Sequence, residues 1–99
     1  MVPSLEELKL QCRIDADWTE EDDLLKGYAG AARKRAENFI NRKLYDDTVP
    51  EEDNDGLVIS DDIKLAIMLA VGFWYDTRTP TNLPAGFSSL LEPYRFIPL

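Results

Sequence analysis

The stretch Asp61–Arg78, DDIKLAIMLAVGFWYDTR, decides how this chain folds, because it sets eleven consecutive uncharged residues, Leu65 to Tyr75, inside an acidic protein of 99 residues. A helix rises about 1.5 Å per residue and the hydrocarbon core of a bilayer is about 30 Å thick, so this run reaches only about half way across. It is too short to span a membrane. Ile63, Ala66, Ile67, Ala70, Val71 and Trp74 recur at helical spacing, while Leu65, Met68, Leu69, Gly72, Phe73 and Tyr75 cover most of the remaining circumference. A helix apolar nearly all round is buried nearly all round. Two arrangements satisfy that demand: the central helix of a compact four-helix domain, or a helix shared between its own core and a partner.

Upstream, Ser4 stands three residues before Glu7 in a capping-box pattern, and Leu5, Leu8 and Cys12 follow at helical spacing, which predicts a short helix from about Leu5 to Cys12. Thr19 is the next start signal, with Glu20, Glu21, Asp22 and Asp23 placing negative charge at the positive end of a helix dipole. The steps Leu25, Tyr28, Ala29, Ala32, Ala36, Phe39 and Ile40 then predict an amphipathic helix over roughly Glu20 to Arg42, whose alanines let another helix approach closely. Asp46 to Gly56 breaks the pattern with a proline, a glycine and six acids, as an exposed loop does, and a short extended piece is expected at Leu57 to Ile59. Ser60 caps the third helix, and the sequence TRTP ends it before Pro80. Downstream, a short last helix carries Phe87, Leu90 and Leu91 and leads into an extended tail. The expected fold is therefore all-α: a small bundle of about four helices, two longer and two short, forming a single domain over residues 1–99 with an acidic loop between helices two and three.

Composition narrows the chemistry. With 44% apolar and 30% charged residues the chain is of globular type, and nineteen acids against eleven bases leave a net charge of −8 that disfavours nucleic acid and anionic lipid. Cys12 is the only cysteine, so no intramolecular disulfide can form, and it is expected to pack as a small apolar residue in a reducing compartment. The first twelve residues lack the form of a secretory signal, so synthesis in the cytoplasm is expected. There is no histidine, which removes Ser-His and Cys-His nucleophiles and the commonest general base. Carboxylate pairs such as Glu51 and Glu52 lie in a repelling, hydrated run, so no enzyme activity and no cofactor are expected. Asp15-x-Asp17 and Asp53 to Gly56 resemble calcium loops only in part, because the glycine or the closing glutamate is misplaced or missing, and no metal is expected. Arg33, Lys34 and Arg35 point in three directions about 100° apart and so are not expected to form one basic patch, whereas Arg35 or Arg42 is expected to meet acids of a neighbouring chain or loop.

Four segments in one order, LEELKLQCRID, EEDDLLKGYAGAARKRAENFINRKL, DDIKLAIMLAVGFWYDTR and LPAGFSSLLEPYR, resemble the small head-tail connector, or head-completion, proteins of long-tailed bacteriophages and prophages. The third segment, with Ile63, Lys64, Ala66, Trp74, Tyr75 and Arg78, weighs most in the likeness, with the last, through Leu83, Pro84, Leu90, Leu91, Pro93, Tyr94 and Arg95. The resemblance implies a structural subunit of a ring, commonly of about twelve, at the head-tail junction of the virion and in host cytoplasm during assembly. Such a ring docks to the portal protein on one side, receives the next connector or a tail-completion protein on the other, and lets DNA pass without specific binding. The segments after the second helix and after Arg78 are shorter than in many relatives, so contacts made by those loops do not carry over.

Together these readings place Leu65, Met68, Leu69, Phe73, Trp74 and Tyr75 at the seam between subunits, since aromatics and Met are enriched at interfaces and a cyclic ring joins two different faces. They place the acids Asp46, Asp47, Glu51, Glu52, Asp53 and Asp55 along the channel, where like-charge repulsion keeps DNA from sticking. A small acidic adaptor or regulator that binds one protein as a monomer or dimer is the alternative the same helix supports.

Overall fold

A computed structural model describes residues 2–78 and 82–96 of the chain. Four helices dominate it, in the order α1 (Leu5–Gln11), α2 (Asp22–Ile40), α3 (Asp61–Thr77) and α4 (Ala85–Leu91), with a 3₁₀ turn at Glu92–Tyr94. The all-α expectation holds, with two long and two short helices as read. The short extended piece expected at Leu57 to Ile59 is the strand β2 (Leu57–Val58); its partner was not foreseen, a two-residue strand β1 (Leu44–Tyr45) that pairs with it in parallel, in the register Leu44 with Leu57 and Tyr45 with Val58.

Each helix begins and ends for a local reason. At α1 the capping box is complete: Ser4 Oγ accepts the Glu7 N–H at 3.2 Å, and the Ser4 N–H donates to Glu7 Oε1 at 2.9 Å. Its end closes on a left-handed Arg13, with the Ile14 N–H reaching the Lys9 carbonyl at 2.8 Å and the Arg13 N–H the Leu10 carbonyl at 3.2 Å. Thr19 is not the cap of α2. The chain makes a further turn after it, in which the Asp22 N–H meets the Thr19 carbonyl at 3.3 Å, and Glu21 takes the N-cap position without a side-chain cap. Ser60 does stand at the N-cap of α3, but its hydroxyl donates to Tyr94 Oη at 3.2 Å instead of capping, and Tyr94 in turn donates to Asp62 Oδ2 at 3.0 Å. The helix α3 stops at a left-handed Arg78, whose N–H meets the Trp74 carbonyl at 2.6 Å. Pro80, expected as the stop, lies outside the described residues, as does the tail beyond Phe96.

The core forms where α2 and α3 meet. Ala29, Ala32 and Ala36 of α2 face Ile63, Ala66, Ile67, Ala70, Val71 and Trp74 of α3, and every one of them is buried. Small residues on one helix let the bulky ones of the other sit close to its backbone, which is what the alanine spacing promised. Leu8 from α1 and Phe87 and Leu91 from α4 close the remaining sides, with only seven residues in each of the two helices. The short helix α1 is also pinned by charge. Lys9, 5% exposed, donates to the Ala16 carbonyl at 3.1 Å and lies 2.9 Å from Asp22 Oδ1, and Lys64 pairs with Glu7 at 2.8 Å. After the 3₁₀ turn the chain returns to the end of α2, where the Phe96 N–H meets the Ile40 carbonyl at 2.7 Å.

Close helix contact predicts a contrast within one helix. Ala32→Leu, at a fully buried position, should overpack the seam and cost about 1–3 kcal/mol of stability. Ala31→Leu, one residue earlier and exposed, should stay within about 0.5 kcal/mol of the parent. Urea unfolding followed by circular dichroism measures both, and equal effects would contradict the packing described.

Candidate functional site

The residues expected at a seam fall into three groups. Leu65 is 47% exposed, the most open apolar side chain on α3. Met68, Leu69, Phe73 and Tyr75 are half-buried, and Met68, Phe73 and Tyr75 pack against the core with part of each surface left in solvent. Trp74 is different: it is 1% exposed and belongs to the chain's own core, with Tyr28 tilted against it at 5.9 Å between ring centroids and the Arg35 guanidinium 5.9 Å above its ring. The alanine face of α2 makes the space that its size requires. What α3 leaves outside is thus a narrow strip around Leu65, bordered by Gln11 of α1, which lies across Gly72, and by α4, where Gly86 faces Leu69. Leu10 of α1, 78% exposed, is a further open apolar side chain.

Tyr75 has a task that spacing could not show. Its hydroxyl donates to Glu21 Oε1 at 2.9 Å, while Arg78 donates to Glu21 Oε2 at 2.8 Å and stacks 4.3 Å over the Tyr75 ring. One carboxylate at the start of α2 therefore holds the end of α3. The Tyr75 hydroxyl and then the Arg78 guanidinium keep Glu21 below the usual carboxylate pKa, and the same hydrogen bond pushes the Tyr75 phenol up. Glu7 is lowered as well, first by its hydrogen bond from Lys64. Cys12 lies half-buried beneath this region, and burial, with Asp76 and Glu21 nearby, pushes its thiol up to about 11. A protonated thiol is a poor nucleophile, in keeping with a packing role.

The acidic loop is folded, not splayed. Its two ends are joined by the β1–β2 pair, in which the Leu57 N–H meets the Lys43 carbonyl at 2.9 Å and the Ile59 N–H the Tyr45 carbonyl at 3.0 Å. Inside it the Tyr45 hydroxyl donates to Asp53 Oδ2 at 2.6 Å, and the Asp55 N–H donates to Asp53 Oδ1 at 3.3 Å. Gly56 is required by this closure, because a Cβ there would come within 2.7 Å of the Tyr45 ring and 2.8 Å of Asp53 Oδ2. Asp46 pairs with Arg33 at 2.7 Å. Of the six acids expected along a channel, Asp46 and Asp53 thus serve the fold, and Asp47, Glu51, Glu52 and Asp55 stand exposed. The expectation for Arg33–Lys34–Arg35 needs one refinement: Arg33 turns to Asp46 and the Leu44 carbonyl, but Lys34 and Arg35 flank a single outward stripe with Asn38 and Arg42.

Among the described residues no three Cys, Asp or Glu side chains converge as a metal ion would need, and no helix is long and apolar enough to cross a membrane. What the surface offers is contact: open leucines, a rigid acidic loop and a basic stripe. These define a small helical binding subunit. The family model of phage gp6-like head-tail connector proteins matches residues 3–95, nearly the whole chain, and the chain belongs to that family. Its role is accordingly that of a structural phage connector, a component of the virion. No curated protein and no solved structure matches the chain.

The lowered Glu21 and Glu7 set a pH dependence. Both stay ionised in the folded chain where the unfolded chain, near the ordinary value of 4.5, has begun to bind protons. Their contribution is therefore complete above that value and is lost as pH falls through the folded one. Glu21→Gln should flatten the loss of stability between about pH 6 and about pH 3, read as urea midpoints, since the linkage it removes acts only there. An acid limb identical to that of the parent would contradict the role given to Glu21.

Proposed function

We propose that this chain, acting as one domain, forms a connector ring between the capsid portal and the tail. The observation that carries the reading is the family match over residues 3–95. Surface chemistry supports it: a helical subunit that buries its own core yet leaves Leu65 and Leu10 in water has apolar contacts to offer a neighbour. In a ring each subunit presents two different faces, so a strip on α3 and a separate charged surface are both of use. The ring, of about twelve copies, docks on the portal protein and receives the next connector or tail-completion protein. It completes the head and holds the packaged DNA, which passes through without specific contacts. The exposed strip around Leu65, with Met68, Leu69 and Phe73, lies in the seam between subunits, whereas Trp74 supports it from inside. The role is structural, without catalysis.

The test is the content of the particle. Virions purified after expression of the genome that encodes this chain should carry about twelve copies of it per particle at the portal vertex, by quantitative mass spectrometry and electron microscopy. Its absence from full-length particles would overturn the reading. Leu65→Lys, at a half-open position, should leave the folding midpoint within about 0.5 kcal/mol of the parent while lowering the copies per particle at least about tenfold. Normal incorporation of that variant would remove the α3 strip from the seam.

A further inference from the structure

The distribution of positive charge is uneven. Among the described residues, carboxylates of the same chain hold four of the eleven basic residues, Lys9, Arg33, Lys64 and Arg78. Of the other seven, four fall within the ten residues from Lys34 to Lys43. Lys34 and Arg35 lie on one outward stripe of α2 with Ala31 and Asn38, the half-buried Arg42 stands just past the left-handed Asn41 that ends the helix, and among the described residues none of the three has an acidic partner. Two adjoining clefts run along this stripe and share Lys34 and Asn38. The first, about 310 Å³, has Ala31 and Trp74 beneath a rim of Lys34 and Arg35. The second, about 410 Å³, is bordered by Lys34, Arg42 and Lys43. Its one acid, Glu37, already accepts the Leu44 N–H at 2.8 Å. Arg42 Nε is buried and has no acceptor among the described residues, and the Arg42 guanidinium lies 5.9 Å from the centre of the Phe96 ring.

The complementary surface is on the same chain. Pro50, Glu51 and Glu52 form the exposed tip of the loop, a small apolar residue followed by two carboxylates. The tip is preorganised, because the Asp53 N–H meets the Pro50 carbonyl at 3.0 Å and Asp53 is held by Tyr45. A partner segment fixed in this way loses little entropy on docking. Self-docking is disfavoured by placement. The loop leaves α2 on the Arg33 side, about 150° around the helix from the middle of the stripe.

We propose that the basic stripe of α2 receives the Pro50–Glu51–Glu52 tip of the acidic loop from a second copy of this chain. The proline seats over Ala31, with the buried Trp74 supporting the floor of the cleft from inside, and the carboxylates meet Lys34, Arg35 and Arg42. Donor and acceptor are different surfaces, so the contact is head-to-tail and propagates around a ring, not to a closed pair. It also gives chains of net charge −8 a reason to approach one another, since a local pairing of opposite charges offsets their overall repulsion. The inference rests on the ring reading and assigns Glu51 and Glu52 to the seam, leaving Asp47 and Asp55 for the channel.

Sedimentation of the full chain across concentration, at about 0.05 M and about 0.5 M salt, tests the contact without the portal. The parent should self-associate, and more weakly at high salt. Glu51→Lys with Glu52→Lys should weaken association at least about tenfold, as should Lys34→Glu with Arg35→Glu. An equimolar mixture of the two reversed chains should associate again, because each then offers one matched surface pair. Failure of the mixture to recover, loop variants that associate like the parent, or a parent that stays monomeric throughout would each overturn the seam. None of these outcomes touches the connector reading, which particle content decides separately. A stripe variant that loses retention of double-stranded DNA while still associating would make the stripe a DNA contact and would also overturn the proposal.

Discussion

The contact between the alanine face of α2 and the apolar face of α3 is the constraint on which the rest of the molecule depends. With methyl groups at Ala29, Ala32 and Ala36, α3 comes close enough for Trp74 to be sealed inside a chain of only 99 residues. Once that pair is set, α1 and α4 need only cover its flanks, and seven residues each suffice. The end of α3 is then fixed by Glu21, which ties Tyr75 and Arg78 to the start of α2. Surface properties follow from this economy. A small core uses up most of the apolar side chains and leaves Leu10 and the strip around Leu65 at the rim of the helices.

Much of this was legible in the sequence, for reasons that can be named. The capping box at Ser4 and Glu7, the position of Ser60 and the alanine spacing are local signals, and they located three of the helices within about two residues. Features that depend on distant partners were not legible. Glu21 reads as one of four successive acids at a helix start, and only the arrival of Tyr75 and Arg78 distinguishes it. The extended piece at Leu57 was legible but its partner was not, because β1 has only two residues, too short for any periodicity, and the pairing is set by the closure of the loop at Gly56. Trp74 was placed at a seam because its size suggested more surface than a small chain could shelter. The close approach permitted by the alanines absorbs it.

For a connector the division of labour is sensible. The folded core is intrachain, so the subunit can exist before assembly. The surfaces proposed for partners are separate from it: the strip around Leu65, the loop tip, and the basic stripe along α2. Because Asp46, Asp53 and Gly56 fix the loop from within, its outward acids are displayed in a set geometry. Charge that serves the fold and charge that faces outward are different residues on the same eleven-residue segment.

The central claim is that α2 and α3 form a complete core within one chain and that assembly uses only what lies outside it. Hydrogen exchange on the lone chain, at concentrations where it is monomeric, tests this most directly. The account predicts that amides of Ala32, Ala36, Ile67 and Ala70 exchange only through global unfolding, with the slowest rates in the molecule. Rapid exchange along α3 in the monomer, with protection gained only on oligomerisation, would show that neighbours complete the core and would contradict the account.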